Sequence, residues 1–261
     1  MQMTLTTYIF ILSGWAIFVL VTFLWLVSLL IKNASIVDVF WGIGFVFIAW
    51  LDYSISPFMS STKWLLLILI TIWGLRLALH IGIRNRGKPE DFRYAKWRKE
   101  HGKGWPLISY FQVFLLQGFL MWIIAAPLIS IRVTDGIPPL PPLAVIGALI
   151  WVYGFFFEAV GDWQLARFKA DPANKGKLMT SGVWKYTRHP NYFGDAAQWW
   201  GFYLIAAGAG GWWTIFSPIV MTFLLLKVSG VAMLEKTMKD KPGYKEYAQK
   251  TSAFIPMPPN S

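Results

Sequence analysis

The stretch SGVWKYTRHPNYFGDAAQWWG, residues Ser181–Gly201, joins a polar cluster directly to an apolar run. Five polar side chains lie within eleven of its residues: Lys185, Arg188, His189, Asn191 and Asp195. Pro190 has no backbone N–H and a fixed φ, so we expect a helix to begin at Asn191 or Tyr192. Because polar groups are costly next to hydrocarbon, the stretch predicts the mouth of a membrane helix whose polar residues serve a function.

The composition of the whole chain supports a membrane location. Of its 261 residues, 56% are hydrophobic and 14% charged, and it contains 16 Trp and 20 Phe, which exceeds the proportions of an ordinary soluble domain. The absence of cysteine excludes disulfides and thiolate metal ligands, and the three histidines are too scattered to predict a metal site. We therefore expect an integral membrane protein without a metal.

Seven apolar windows are long enough to cross a bilayer, for which about 20 residues suffice. They cover residues 8–31, 36–55, 64–83, 108–131, 142–163, 192–210 and 212–234. The first is too long for a signal-peptide core and has no basic segment before it, so we expect it to be retained. The windows predict an all-α integral membrane protein, with seven transmembrane helices in a single transmembrane domain over residues 1–261.

The basic residues are distributed unevenly between the two sides of this arrangement. Of the 24 Lys and Arg, 20 lie in alternate loops and the C-terminal tail, two (Lys63 and Arg132) lie on the other side, and two lie within spans. The positive-inside rule then predicts an outside N-terminus and a cytoplasmic C-terminus. Topology and contact with anionic membrane lipid account for most of the net charge of +11, so we expect no nucleic-acid partner.

Ionisable residues also occur inside the predicted spans, toward their cytoplasmic ends. They are Asp38, Arg76, His80, Glu158, Asp162, Asp195 and Glu235. One interpretation is that they pair with one another to hold helices together, for instance Asp38 with Arg76. Their common depth favours the other interpretation, a polar cavity open to the cytoplasm.

Two cytoplasmic segments, residues 84–104 and 166–190, are longer than a connection needs and mix Arg and Lys with Gly, Asn and aromatic residues. A helix N-terminus beside Arg188 and His189 is a natural site for an anion. Tyr186 and Tyr192 can stack on a flat ring, although Tyr and Arg at a helix end also serve as interfacial anchors. These patterns favour a bound anionic ligand.

Four segments carry a resemblance to a known family. They are WGLRLALHIGIRNRGKPEDFRY (73–94), EAVGDWQLARFKADPANKGKL (158–178), residues 182–201, and SGVAMLEKTMKDKPGYKEYAQKTSAFIP (229–256). Together they resemble the membrane-bound steroid 5-alpha-reductase family, in its bacterial branch. The Arg-His-Pro-x-Tyr element is also similar to isoprenylcysteine carboxyl methyltransferases and sterol reductases, which share the C-terminal core.

The resemblance implies a reductase that uses NADPH to reduce the carbon–carbon double bond of a lipophilic enone, such as a 3-oxo-4-ene steroid. Residues of about 1–131 would wall the substrate pocket, and residues of about 142–261 would hold the cofactor. The matching positions imply a set of cofactor-binding residues: Arg76, Asn85, Arg86, Arg93, Glu158, Asp162, Lys169, Lys177, Tyr186, Arg188, His189, Asn191, Tyr192, Asp195 and Glu235. It further implies a bacterial inner membrane and a site open to the cytoplasm; the oligomeric state stays open, and a monomer is compatible with the sequence.

The substrate end of the site departs from the family. The family places a Gln-Glu pair in the second span and a Tyr in the third, where this chain has Asp38 and Trp73. Hydride transfer to the β-carbon of an enone builds negative charge on the ketone oxygen, which needs a hydrogen-bond donor. Asp38 is our first choice for that donor, because a carboxyl group in an apolar helix can keep its proton; His80 and Tyr94 are the other catalytic candidates.

Two other functions are weighed against this one. An S-adenosylmethionine-dependent carboxyl methyltransferase fits the shared C-terminal core, but its cofactor has no phosphate to match the basic loops. A transporter is disfavoured because no internal repeat is evident and the charged residues keep to one depth. No G-x-G-x-x-G follows a strand, so we expect helices and loops, not a Rossmann domain, to hold the cofactor.

Overall fold

The structure, a computed structural model, describes residues 4–56, 60–131 and 140–259. These residues form helices and connecting turns, and no strand occurs among them. Arg132, which entered the comparison of loop charges, lies outside the described residues. The helices are α1 (Leu5–Ile31), α2 (Ile36–Ile55), α3 (Ser61–Asn85), α4 (Phe92–His101), α5 (Trp105–Ser109), α6 (Leu116–Ile124), α7 (Ala126–Ile129), α8 (Pro142–Ala170), α9 (Pro190–Ala206), α10 (Phe216–Phe223), α11 (Val231–Met238) and α12 (Tyr244–Lys250).

Six helical segments of the described chain are long and apolar enough to cross a membrane. They are Leu5–Ile31, Ile36–Ile55, Ser61–Asn85, Phe92–Ile124, Pro142–Ala170 and Pro190–Met238. The expectation of a multi-pass, all-helical membrane protein is therefore confirmed. Seven crossings and an outside N-terminus stay predictions.

The sixth segment contains a reversal. Its 49 residues would measure about 74 Å as a straight helix, more than twice the hydrocarbon thickness. The backbone leaves the helical conformation at Ala209 and at Gly210, whose φ is 90°. Trp200 Nε1 donates to Thr222 Oγ1 at 3.2 Å across 22 residues of sequence, so α10 folds back beside α9.

The chain divides into two compact units. The first comprises residues 1–141 and 209–214 and includes α1 to α7; the second comprises residues 142–208 and 215–261 and includes α8 to α12. The expectation of a single transmembrane domain stays a prediction.

In the first unit, α2 and α3 pack with their backbones in close approach. A Cβ atom at Gly42 would lie 2.5 Å from the carbonyl oxygen of Gly74, so only glycine fits there. Beside this contact Phe45 and Trp73 are completely buried, with ring centroids 5.7 Å apart. Small residues at a helix crossing allow such contact in membrane proteins.

In the second unit, α8 and α9 pack through glycines spaced seven residues apart on α8. Cβ atoms at Gly147 and Gly154 would lie 2.6 Å from the carbonyl oxygens of Gly201 and Gly194, and one at Gly161 would lie 3.0 Å from the ring of Pro190. Seven residues make about two helical turns, so the three glycines share one face. This face holds the acidic residues of α8 close to α9.

Candidate functional site

The polar cluster at the start of α9 contains a bidentate ion pair. Arg188 donates through Nε and Nη2 to the two carboxylate oxygens of Glu235, at 2.9 and 3.0 Å. Its Nη1 donates to the carbonyl oxygens of Ala248 and Thr251, at 3.0 and 2.6 Å. His189 Nε2 lies 2.8 Å from Glu235 Oε1. Arg188 therefore ties α9, α11 and the end of α12 together.

The segment after α12, residues 251–257, lies along residues 184–189 and is called the C-terminal strap below. The backbone N–H of Arg188 donates to Ser252 O at 2.9 Å, and that of Met257 donates to Tyr186 O at 2.9 Å. The Thr187 hydroxyl donates to Phe254 O at 2.8 Å. These bonds hold the strap against the loop that leads into α9.

The ionisation states in this cluster follow from burial and from Glu235. Burial, with help from the charge of Arg188, lowers the pKa of His189 although Glu235 opposes the shift. The imidazole is then neutral near pH 7, so its Nε2–H donates to the carboxylate. Burial and the neighbouring Glu235 raise the pKa of Tyr244 to about 12.

A pocket of about 480 Å³ opens beside the cluster, within the second unit. It lies between the end of α8, the loop of residues 171–179, α11 and α12. Its lining includes four lysines (Lys169, Lys175, Lys177 and Lys241) and four Phe, Trp or Tyr side chains (Phe168, Trp184, Tyr244 and Tyr247). The two lining carboxylates are already engaged: Glu235 with Arg188, and Asp171 with the backbone N–H of Ala173. The pocket thus has an excess of positive charge.

Acid and amide side chains pair between α8 and α9. Glu158 Oε2 accepts a bond from Gln198 Nε2 at 2.5 Å, and Asp162 Oδ1 accepts one from Asn191 Nδ2 at 3.1 Å. Glu158 and Gln198 are almost completely buried. Hydrogen bonding of this kind offsets the cost of burying polar groups.

The first unit has a polar cluster of its own. The hydroxyl of Tyr94, which is 3% exposed, donates to Asp38 Oδ1 at 2.8 Å and accepts from Gln117 Nε2 at 3.1 Å. Arg93 Nη2 donates to Asp38 Oδ2 at 3.3 Å, and its guanidinium carbon lies 5.3 Å from the Tyr94 ring centroid. The structure therefore pairs Asp38 with Arg93, where the sequence had offered Arg76.

Two acidic residues before α4 fasten the basic loop to the start of α2. Glu90 accepts two bonds from Arg98, at 2.8 and 2.7 Å, and one from the backbone N–H of Ala34 at 2.7 Å. The Asp91 N–H donates to Ser35 Oγ at 2.8 Å. Burial works to raise the pKa of the Asp91 carboxyl, but the hydrogen bonds from Arg93 outweigh it and hold that pKa below its usual value.

An apolar groove of about 490 Å³ also lies in the first unit. It runs between α1 and residues 115–122 and is lined by side chains such as Ile17, Phe18, Val21 and Phe119. The groove has the chemistry to take a hydrocarbon ligand.

The residues implied as cofactor contacts fall in three places. Five line the lysine-rich pocket: Lys169, Lys177, Arg188, His189 and Glu235. Near it in the second unit, Glu158, Asp162, Asn191 and Asp195 lie along α8 and α9, the Tyr192 ring stacks on His189 at 5.9 Å, and Tyr186 is partly exposed. The remaining four, Arg76, Asn85, Arg86 and Arg93, belong to the first unit.

Of the catalytic candidates, Asp38 and Tyr94 are in direct contact, and His80 lies on α3 one helical step from Arg76. Sequence reasoning gave no site role to Gln117, Lys175, Lys241, Tyr244 and Tyr247. Two of these had a usable signal, because Tyr244 and Tyr247 are three residues apart and so share a helix face. Among the described residues, no group of three His, Asp or Glu side chains could hold a metal ion.

Comparison with known proteins places the chain in a family. A family model described as "Protein of unknown function (DUF1295)" matches residues 24–251. The chain belongs to the DUF1295 family. It is 27% identical to "Uncharacterized protein C594.04c" of Schizosaccharomyces pombe over 272 residues, covering 92% of this DUF1295 chain and 77% of the relative.

A second, partial match is 39% identical over 51 residues to "Probable O-methyltransferase ustE" of Ustilaginoidea virens. It covers 20% of the DUF1295 chain and 18% of the relative. No solved structure matches the chain significantly.

Proposed function

We propose that this chain is a membrane oxidoreductase that uses NADPH to reduce the carbon–carbon double bond of a lipophilic enone. A 3-oxo-4-ene steroid is the first substrate to test. The observation that carries the proposal is the pocket of the second unit. Four lysines line this pocket, and its two carboxylates already accept hydrogen bonds from Arg188 and from the backbone N–H of Ala173. A pyrophosphate together with a 2′-phosphate offers the negative charge that would balance the net positive charge of this lining.

The residues of the pocket fit the parts of this cofactor. Lys169, Lys175, Lys177 and Lys241 supply charge for phosphates, and Trp184 and Tyr247 supply flat faces for a ring. Arg188 already donates its hydrogen bonds to Glu235 and to backbone carbonyl oxygens at the end of α12. We therefore assign phosphate binding to the lysines and assign Arg188 the role of holding the wall of the pocket.

The polar cluster around Asp38 suits a proton donor. NADPH, when bound, supplies the hydride. The phenol of Tyr94 already donates to Asp38 and accepts from Gln117, and Arg93 lies where it stabilises negative charge on the phenol oxygen. Since Asp38 accepts from both Arg93 and Tyr94, we propose that Tyr94 turns its single O–H from Asp38 to the substrate oxygen when substrate binds, and that Asp38 is its positioning residue.

The lipophilic character of the substrate is supported by the apolar groove on α1, whose lining has hardly any polar surface. The steroid itself rests on the family resemblance.

The first experiment measures cofactor binding to the purified full chain by calorimetry. We expect NADPH to bind at least about tenfold more tightly than NADH, since only NADPH carries the 2′-phosphate. Lys175→Ala with Lys177→Ala should weaken NADPH binding, whereas Lys236→Ala, an exposed lysine outside the pocket, should not. Equal affinity for NADPH and NADH would contradict the phosphate assignment.

A second candidate function is S-adenosylmethionine-dependent methyl transfer, which the partial match to a probable O-methyltransferase favours. S-adenosylmethionine carries no phosphate, so the lysine-rich lining has no counter-charge in that case. Titrating S-adenosylmethionine into the same protein separates the two functions. Saturable binding of it, with none of NADPH, would establish the methyltransferase instead.

A further inference from the structure

A second groove lies in the first unit, between the beginning of α2 and the end of α3. It has a volume of about 420 Å³ and an apolar floor that includes Ile36, Val39, Leu79 and Ile83. Gly82 keeps this floor open, because a Cβ atom there would meet only Val39 Cγ1, at 3.9 Å. Both helices are apolar enough to cross a membrane, and Leu79 and Ile83 of the floor are exposed, as suits contact with lipid.

One cation lines this groove, and two more are close to its lining residues in sequence. Arg86 lines it, Lys32 stands between two of its lining residues in sequence, and Lys88 follows two positions after Arg86. None of these three cations forms an ion pair within the described residues. The nearby acids are engaged elsewhere, Glu90 by Arg98 and Asp91 by Arg93.

We propose that this groove binds an anionic phospholipid, with an acyl chain along the floor and the headgroup phosphate at Arg86. An apolar channel that ends at unneutralised cations matches the two halves of such a molecule, and Arg is well suited to phosphate. A zwitterionic lipid would bring its own positive charge to the same cations and would therefore bind less well. The site does not depend on the proposed NADPH pocket, which lies in the other unit.

The test uses the full chain in nanodiscs that contain phosphatidylcholine and a minor fraction of phosphatidylglycerol. After release into detergent, native mass spectrometry counts the phosphatidylglycerol that stays bound to the protein. We expect the unmodified chain to retain phosphatidylglycerol in preference to phosphatidylcholine. Arg86→Gln should lower retention about fivefold, which corresponds to the loss of one cation near a lipid headgroup.

Gly82→Leu tests the floor of the groove independently of its charge. A Cβ atom at this position meets only Val39 Cγ1, at 3.9 Å, and the rest of a leucine side chain would occupy the groove, so we expect an unchanged unfolding midpoint together with loss of the retained lipid. Lys99→Gln is the matched control, because it removes one exposed cation from α4, outside the groove, and should leave retention unchanged.

Retention of phosphatidylglycerol at the unmodified level in both Arg86→Gln and Gly82→Leu would overturn the proposal. So would a weaker affinity for NADPH in Arg86→Gln with lipid retention intact, because Arg86 would then belong to the cofactor site, as the family resemblance implies.

Discussion

His189 and Arg188 both bond to the carboxylate of Glu235, so the protonation of His189 affects the whole cluster. Because burial lowers its pKa in the folded protein below the ordinary value of 6.5, the unfolded chain takes up the proton first as the pH falls. The contribution of neutral His189 to stability is therefore complete above about pH 6.5 and is lost as the pH falls toward the lower, folded-state pKa.

We expect the unfolding midpoint of the purified chain to be lower at about pH 5.5 than at about pH 7.5. His189→Gln should remove much of this difference, and His101→Gln, at an exposed position, should keep it. A difference of the same size in the His189 variant would show that other groups cause the pH dependence.

Tyr94→Phe removes the proposed proton donor and leaves the ring in place. We expect turnover of an enone substrate to fall by about 100-fold or more, the usual effect of losing a general acid, with NADPH affinity unchanged. Tyr110→Phe is the control, since Tyr110 also forms a side-chain hydrogen bond in the first unit, to Thr22 at 3.1 Å. Undiminished turnover in Tyr94→Phe would exclude it as the donor.

The sequence supplied three members of the Tyr94 cluster, Asp38, Arg93 and Tyr94, but neither Gln117 nor the pairing of Asp38 with Arg93. Asp38 and Tyr94 each stood out, one as an acid in an apolar window and the other in a basic loop, yet 56 residues separate them. The sequence offered Arg76, in the next span, as an example of a partner for Asp38, whereas the observed partner, Arg93, lies in the first turn of α4. Which of two cations reaches a carboxylate depends on loop geometry, and residue spacing carries no information about it.

At the scale of elements, the contact between α8 and α9 depends on glycine. Gly154→Ala would place a methyl group 2.6 Å from the Gly194 carbonyl oxygen, and we expect it to lower the free energy of unfolding by about 1–3 kcal/mol. The measurement is thermal or denaturant unfolding of the purified chain in detergent.

Gly82→Ala is the matched control for that experiment, since its methyl group would meet only one atom, at 3.9 Å. It should be neutral or slightly stabilising, because alanine is the better helix former. Equal effects of the two substitutions would show that helix propensity, and not close packing, governs the α8–α9 contact.

The apolar windows predicted where long apolar helices lie but not where all of them end. The window 36–55 coincides with α2, while the window 142–163 stops seven residues short of the end of α8 at Ala170. The last turns of α8 carry Arg167 and Lys169, which lower the hydropathy of the sequence there. The backbone hydrogen bonding of the helix nevertheless continues beyond the end of the apolar window. The predicted start of α9, at Asn191 or Tyr192, was within two residues of the observed start at Pro190. Proline favours the first position of a helix because it lacks an N–H and has a fixed φ.

For the whole molecule, the membrane topology is the least constrained property. The chain has no cysteine, so single introduced cysteines report accessibility without background. If the chain crosses seven times, an impermeant maleimide should label Thr4→Cys in intact cells, and should label Lys103→Cys and Lys250→Cys only after the membrane is opened. Labelling of Thr4→Cys and Lys250→Cys from the same side would indicate six crossings.

The seven-residue spacing of the α8 glycines also limits how this helix pair can move. If α8 moved a short distance along α9, larger side chains would replace glycine at all three close contacts, those of Gly147, Gly154 and Gly161. The next position at which the glycines would match lies about 10.5 Å away, the rise of seven helical residues. The register of α8 against α9 is therefore fixed. An opening that admits a ligand to the lysine-rich pocket would therefore involve its other sides, the loop of residues 171–179, α11 and α12.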